Sequence, residues 1–68
     1  MSQTADYTVT GMTCEHCVAS VTEEVREIAG VTDVRVDLAS GALTVSSDQA
    51  VSHAAVQAAV EEAGYQLA

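Results

Sequence analysis

Two cysteines stand three positions apart in the segment Gly11-Met12-Thr13-Cys14-Glu15-His16-Cys17. Thiolates are nucleophiles and soft metal ligands, so a Cys-x-x-Cys pair admits three chemistries. The first is thiol–disulfide exchange, which a dithiol near a βαβ pattern can signal. Thioredoxin-like folds set a cis-proline beside the dithiol, and this chain has no proline. The second is a closed structural zinc site, which wants four nitrogen or sulfur ligands. Only His16 and His53 could join the cysteines as the histidines of such a site. His53 belongs to the start of a second helix, at the far end of the sheet from the cysteine loop. The third is a two-thiolate site for a soft ion. Soft sulfurs favour Cu(I), which accepts low coordination numbers, so two can suffice. A loop site also lets an incoming thiolate reach the ion, which favours handing it on over holding it. A bond between the two sulfurs would close too small a loop to stabilise the chain much, so the pair is no structural staple.

Hydrophobic periodicity places the elements that must hold this pair. Tyr7 to Thr10 alternates and reads as a short strand. Past the Gly11 loop, Val18, Val21, Val25 and Ile28 form one apolar stripe on a helix over roughly Glu15 to Ala29. Gly30 then stands where a helix C′ glycine belongs. The cysteines thus fall at a helix start, where the positive dipole end lowers thiol pKa values, and Cys17, in the first turn, gains more than Cys14. Val34, Val36 and Leu38 alternate with Asp33, Arg35 and Asp37 in a half-buried strand. Ala39, Ser40 and Gly41 make a hairpin, and Leu43 and Val45 lie on the return strand. Ser52 is a good N-cap for a helix near His53 to Ala63, with Val51 and Val56 as a hydrophobic staple. That helix buries Val56, Ala59, Val60 and Ala63. Gly64 closes it before a last short strand, Tyr65 to Leu67. The order β-α-β-β-α-β is that of a ferredoxin-like α+β sandwich. A four-stranded antiparallel sheet would carry both helices on one face.

Composition removes several functions. The 68 residues hold one small domain, taken as 1–68. Net charge is −8, from ten acidic residues against Arg26 and Arg35, and there is no lysine. Binding to nucleic acid or to an anionic membrane surface needs the cations this chain lacks. No apolar run nears the ~18 residues of a membrane span. Met1 to Asp6 is polar with no signal-peptide core, so a complete cytoplasmic protein is expected.

With loop and element order in hand, the segment resembles the Gly-Met-Thr-Cys-x-x-Cys signature of heavy-metal-associated domains. These occur as copper chaperones and at the N-termini of metal-transporting P-type ATPases. The likeness covers the whole chain, including Gly64-Tyr65. The Cys-x-His-Cys form and short length resemble bacterial copper chaperones of the CopZ type. The resemblance implies one Cu(I) per monomer on Cys14 and Cys17. It implies transfer by ligand exchange to the N-terminal metal-binding domain of a copper-transporting ATPase, with a copper-responsive regulator as a further partner. It also implies a non-catalytic protein, monomeric when apo, that excess copper can bridge into a dimer. Three rivals stand beside it. They are a domain cut from such an ATPase, a carrier of Hg(II), Zn(II) or Cd(II), and a thiol–disulfide oxidoreductase. Zinc-selective relatives often place a carboxylate where this chain has Thr13, and mercury carriers usually have an export signal.

The neighbours of the pair each have a plain and a sharper reading. Gly11 lets the loop turn tightly. Met12 has a soft sulfur, yet the family position packs inward, as an anchor under the loop. His16 is a solvated helix residue, or an auxiliary ligand or proton-linked tuner of the thiolates when two molecules share copper. His53 is an exposed first-turn residue. Tyr65 simply caps a small core, or its hydroxyl also shields or hydrogen-bonds the thiolates; by the resemblance, eukaryotic chaperones often carry lysine at this position and bacterial ones tyrosine. Glu15 disfavours thiolate ionisation slightly. Glu23, Glu24, Glu27, Asp33 and Asp37 are a solvated surface, or part of a docking face for a partner with basic residues near its own metal loop.

Overall fold

Seven valines and Leu43 make up the buried core. Leu43, Val21, Val25, Val56 and Val60 are fully enclosed. Each such side chain contributes about 1.5–3 kcal/mol when removed from water. In this computed structural model, residues 3–68 are described. The first two residues of the polar stretch read over Met1 to Asp6 lie outside them.

The elements are β1 (Gln3–Thr10), α1 (Glu15–Arg26), β2 (Val31–Asp37), β3 (Ala42–Ser47), α2 (His53–Glu62) and β4 (Gln66–Leu67). The sheet order is β2-β3-β1-β4, every pair antiparallel. This is the expected ferredoxin-like βαββαβ architecture. Alternation along β1 turns Val9 into the core and leaves Thr8 and Thr10 exposed. The crossover from β1 through α1 therefore begins at one end of the sheet with residues 11–14. The last turn before β4 arrives at that same end, because Thr10 pairs with Gln66. The Thr10 hydroxyl adds a bond to the Gln66 carbonyl at 3.2 Å.

The structure departs from the sequence reading at several points, each for a local reason. β1 begins at Gln3 rather than Tyr7, because β3 pairs with it as far as Gln3↔Ser47. α1 stops at Arg26, not Ala29. Its end tightens into i→i−3 bonds, Glu27 N–H to Glu24 O at 3.3 Å and Ile28 N–H to Val25 O at 3.1 Å. Glu27 is the C-cap, so Gly30 is not the C′ glycine and serves the turn into β2. The buried stripe of α1 is Cys17, Val21 and Val25, with Ile28 packed beside it. Val18 sits off that line, half-buried. Leu38 leaves the core face altogether. Asp37 O accepts from Gly41 N–H at 2.8 Å and its carboxylate from Ala39 N–H at 3.0 Å. That pins the turn at residues 38–41 and leaves Leu38 36% exposed. The last strand starts at Gln66, one residue later than read, because Tyr65 N–H is taken by Val60 O in the turn that closes α2.

Candidate metal site

The two cysteines occupy different places at the start of α1. Cys14 is the N-cap, with extended backbone (φ −157, ψ 173) and no hydrogen bond from a helix N–H to its side chain. Its carbonyl accepts from Cys17 N–H at 3.1 Å and Val18 N–H at 3.4 Å, which opens the helix. Three residues on, one turn of helix brings Cys17 back over Cys14 and onto the buried stripe. Cys14 is exposed and Cys17 buried, and neither is in a disulfide. Their sulfurs lie 3.5 Å apart.

The surroundings favour a thiolate at Cys17. Its pKa falls from 9.0 to about 6. The largest cause is the backbone N–H of Thr13, followed by the Tyr65 hydroxyl; burial opposes them, and Cys14 adds smaller help through its thiol and backbone. The Thr13 hydroxyl lies 3.9 Å from the same sulfur. Tyr65 responds in the opposite sense. Its pKa rises, first because its hydroxyl donates to Cys17, then through burial and the nearby thiolate charges.

Tyr65 reaches this position through the way α2 ends. Gly64 N–H bonds Glu61 O at 2.9 Å and Tyr65 N–H bonds Val60 O at 3.0 Å. This pair of bonds is the Schellman motif, and it requires a left-handed residue at C′. Gly64, at φ +95, supplies it. The half-buried Tyr65 ring lies against Gly11, itself at φ +90. A Cβ on Gly11 would stand 3.6 Å from Tyr65 Cδ1. The cysteine loop thus rests on the tyrosine.

Met12 is half-buried and packs against the core. His16 is exposed on the first turn of α1, with its carbonyl accepting from the Ser20 hydroxyl at 3.1 Å. Glu15 is exposed as well. His53 starts α2, and that helix begins where β3 ends, at the opposite end of the sheet from the cysteines. Its ring stacks on Tyr7, tilted by 49° with centroids 5.6 Å apart, a contact the sequence reading did not foresee. Among the described residues, no three His, Cys, Asp or Glu side chains converge on one point. A four-ligand zinc cage is therefore not assembled within the chain. Sequence reasoning also missed the Thr13 N–H as the leading stabiliser of the thiolate. A backbone donor has no residue signature, although its place in a Gly-x-x-Cys loop ahead of a helix was visible.

The start of α1 thus holds one exposed and one buried thiol beneath a tyrosine. Residues 6–66 match the model of the heavy-metal-associated domain family, and the chain belongs to it. Within the family it is similar to copper chaperone CopZ of Bacillus subtilis, 43% identical over 61 residues that cover 88% of each chain. Two larger proteins match over one segment. Copper-transporting ATPase 1 of Rhizobium meliloti is 40% identical over 91% of this chain. The zinc/cadmium/lead-transporting P-type ATPase of Shigella sonnei is 42% identical over 87% of it. The chain spans 8% of the length of each. Among solved structures, a CopZ metallochaperone is 31% identical with a TM-score of 0.90, over 97% of this chain and 100% of that one. No helix among the described residues is long and apolar enough to cross a membrane.

Proposed function

We propose that this chain is a cytoplasmic copper chaperone, a non-catalytic single domain over 1–68. It carries one Cu(I) between Cys14 Sγ and Cys17 Sγ. It passes the ion to the N-terminal metal-binding domain of a copper-transporting P-type ATPase. The observation that carries this reading is the sulfur pair itself, 3.5 Å apart with one thiol exposed. Metal–sulfur bonds of ~2.3 Å place two sulfurs at most roughly 4.6 Å apart, so the site opens by no more than about 1 Å to take a two-coordinate ion. The exposed Cys14 supplies that movement. Cys17, held by backbone donors, stays as the fixed ligand.

Two thiolates and one Cu(I) leave a charge of −1. The positive end of α1, the Thr13 N–H and the Tyr65 hydroxyl offset it. Transfer is associative. A partner thiolate attacks copper, a three-coordinate intermediate forms, and Cys14 leaves first because it is the less enclosed ligand. Gly11 and Met12 seat the loop, Thr13 and Tyr65 stabilise the thiolate, and exposed His16 is available as an extra ligand when copper bridges two copies. The apo protein is a monomer. A copper-responsive regulator is a second recipient for the same loop.

A second reading is supported by the zinc/cadmium/lead transporter among the relatives. It is a carrier or transporter domain for another soft ion. Thr13 argues against it, since the position before the first cysteine holds a hydroxyl and not a carboxylate. Titration with Cu(I) and with Zn(II) against a strong chelator, for wild type and Cys14→Ala/Cys17→Ala, tests both. Copper binding that survives the double variant sinks the proposal; tighter retention of zinc than of copper selects the second reading.

A further inference from the structure

We propose that the open edge of β1 at Thr4–Asp6 is a strand-acceptor site for an extended, basic segment of a partner protein. β1 runs from Gln3 to Thr10, whereas β4 is only Gln66–Leu67. On its β3 side β1 is paired from Gln3 to Thr8, and Val9 N–H adds a bond to Gly41 O at 2.8 Å. On its β4 side the pairs are Val9↔Leu67 and Thr10↔Gln66. One further bond, Ala68 N–H to Thr8 O at 2.8 Å, ends the ladder. Backbone groups alternate sides along an antiparallel strand. Those of Thr4 and Asp6 therefore point the same way as those of Thr8, and among the described residues no strand pairs with them.

Unpaired edge groups of this kind are a template for another strand, recognised through the backbone and made selective by flanking side chains. Here the edge opens into a groove lined by Asp6, Tyr7, Thr8, His53 and Leu67. The rings of Tyr7 and His53, tilted by 49° to one another, line its inner side, where the inward side chains of an added strand would pack. Asp6 is exposed on the outer face, one carboxylate oxygen accepting from the Thr44 hydroxyl at 2.9 Å and the rest of its charge open to the outward ones.

Charge chooses the occupant. A second copy, itself at a net charge of −8, would be repelled by this chain as a whole. The Asp6 carboxylate attracts a segment with Lys or Arg opposite it. The unpaired edge at Thr4–Asp6 lies in the half of β1 remote from the cysteine loop, so a bound strand leaves Cys14 exposed. The inference does not depend on which metal the loop carries.

Register fixes the test. A strand continuing past Ala68 would fall opposite Tyr7, Asp6, Ala5, Thr4 and Gln3 in turn. Val-Lys-Val-Lys-Val appended after Ala68 puts its first lysine opposite Asp6 at high effective concentration. Amide exchange at Thr4 and Asp6 is expected to slow roughly tenfold in this extended protein. The same peptide, acetylated and added to the unextended protein, should shift those two amides by NMR. A Val-Glu-Val-Glu-Val peptide should shift them less, and Asp6→Asn should weaken the lysine peptide while the fold persists. Unchanged exchange at Thr4 and Asp6 overturns the proposal. So does equal binding of the glutamate peptide, or shifts spread over the acidic faces of α1 and α2 instead. Self-association of the unextended protein with Thr4 and Asp6 protected would show the occupant to be a second copy, and would overturn it too.

Discussion

The two helices of this domain begin in opposite ways. At α2, the Ser52 side chain accepts from Ala55 N–H at 3.1 Å, so an orphan donor is satisfied by the chain itself. At α1, Cys14 holds the same cap position in an extended conformation and gives no such bond. A hydroxyl or carboxylate cap is worth about 1 kcal/mol over a residue that cannot accept. α1 does without it, and the backbone of Thr13 and Cys14 just ahead of it acts on the Cys17 sulfur instead. The comparison separates a helix start closed by its own side chain from one that leaves a thiol pair open. It also explains how a domain with so small a core tolerates an uncapped helix. Cys17 heads the buried stripe, so the proposed ligand doubles as core.

Making α1 like α2 should break the site most severely. In Cys14→Ser a capping hydroxyl replaces one of two ligands, and Cu(I) affinity in a chelator competition should fall by orders of magnitude. The reduced apo domain should meanwhile gain about 0.5–1 kcal/mol. For a domain of this size 1 kcal/mol raises the melting temperature by roughly 4–8 °C. A Cys14→Ser protein that melts below wild type would show that α1 was not missing a cap.

Next in size is the pH response of the thiol. With Cys17 at about 6 in the folded protein against 9.0 as its ordinary value, ultraviolet thiolate absorbance of the reduced apo protein should titrate near pH 6. A depressed pKa contributes stability that is fully present above pH 9 and is lost as pH falls towards 6. Glu24, near the other end of α1, has the opposite sign. Burial first, then Glu27, Glu62 and Glu23, raise its pKa. Its contribution is present in acid and lost as pH rises through that raised value. Urea unfolding across pH should therefore fall on leaving acid and climb between about 6 and 9. A curve flat over that upper window would contradict the stabilised thiolate.

A smaller change concerns the other helix start. Ser52→Ala should cost about 1 kcal/mol and leave Cu(I) affinity unaltered, since α2 begins at the end of the sheet remote from the cysteines. A matching loss of affinity would mean that the two starts are coupled through the core.

Much of this contrast was legible in the residues. Alternation in Val34–Val36 and Leu43–Val45 identified the central hairpin, Ser52 announced its helix, and Cys-x-x-Cys after Gly11 announced the site. What stayed hidden depends on backbone geometry. Val18 and Cys17 are adjacent and both apolar, so periodicity alone could not tell which one heads the stripe. Asp37 turning Leu38 outward is a side chain–backbone contact with no periodic signal. The shortness of β4 and the Thr13 N–H at the thiolate likewise follow from where the chain turns, not from residue type.

The smallest expected effect is also the one that divides credit between backbone and side chain at α1. Tyr65→Phe removes the hydroxyl but keeps the ring that packs against Gly11 and the core. The melting temperature should barely move. The Cys17 pKa should rise, because a donor to the thiolate is gone, yet stay below 9.0, because the Thr13 N–H is the larger cause and remains. Thiolate absorbance measured on Tyr65→Phe and wild type in parallel reads this directly. A return to 9.0 would make the tyrosine, not the loop backbone, the origin of the thiolate. No change would leave Tyr65 a packing residue and place the whole effect in the uncapped start of α1. An intermediate value is what two donors from opposite ends of the chain predict: one is set by the Gly11 loop and the other by the Gly64 turn, so neither half of the fold makes the thiolate alone.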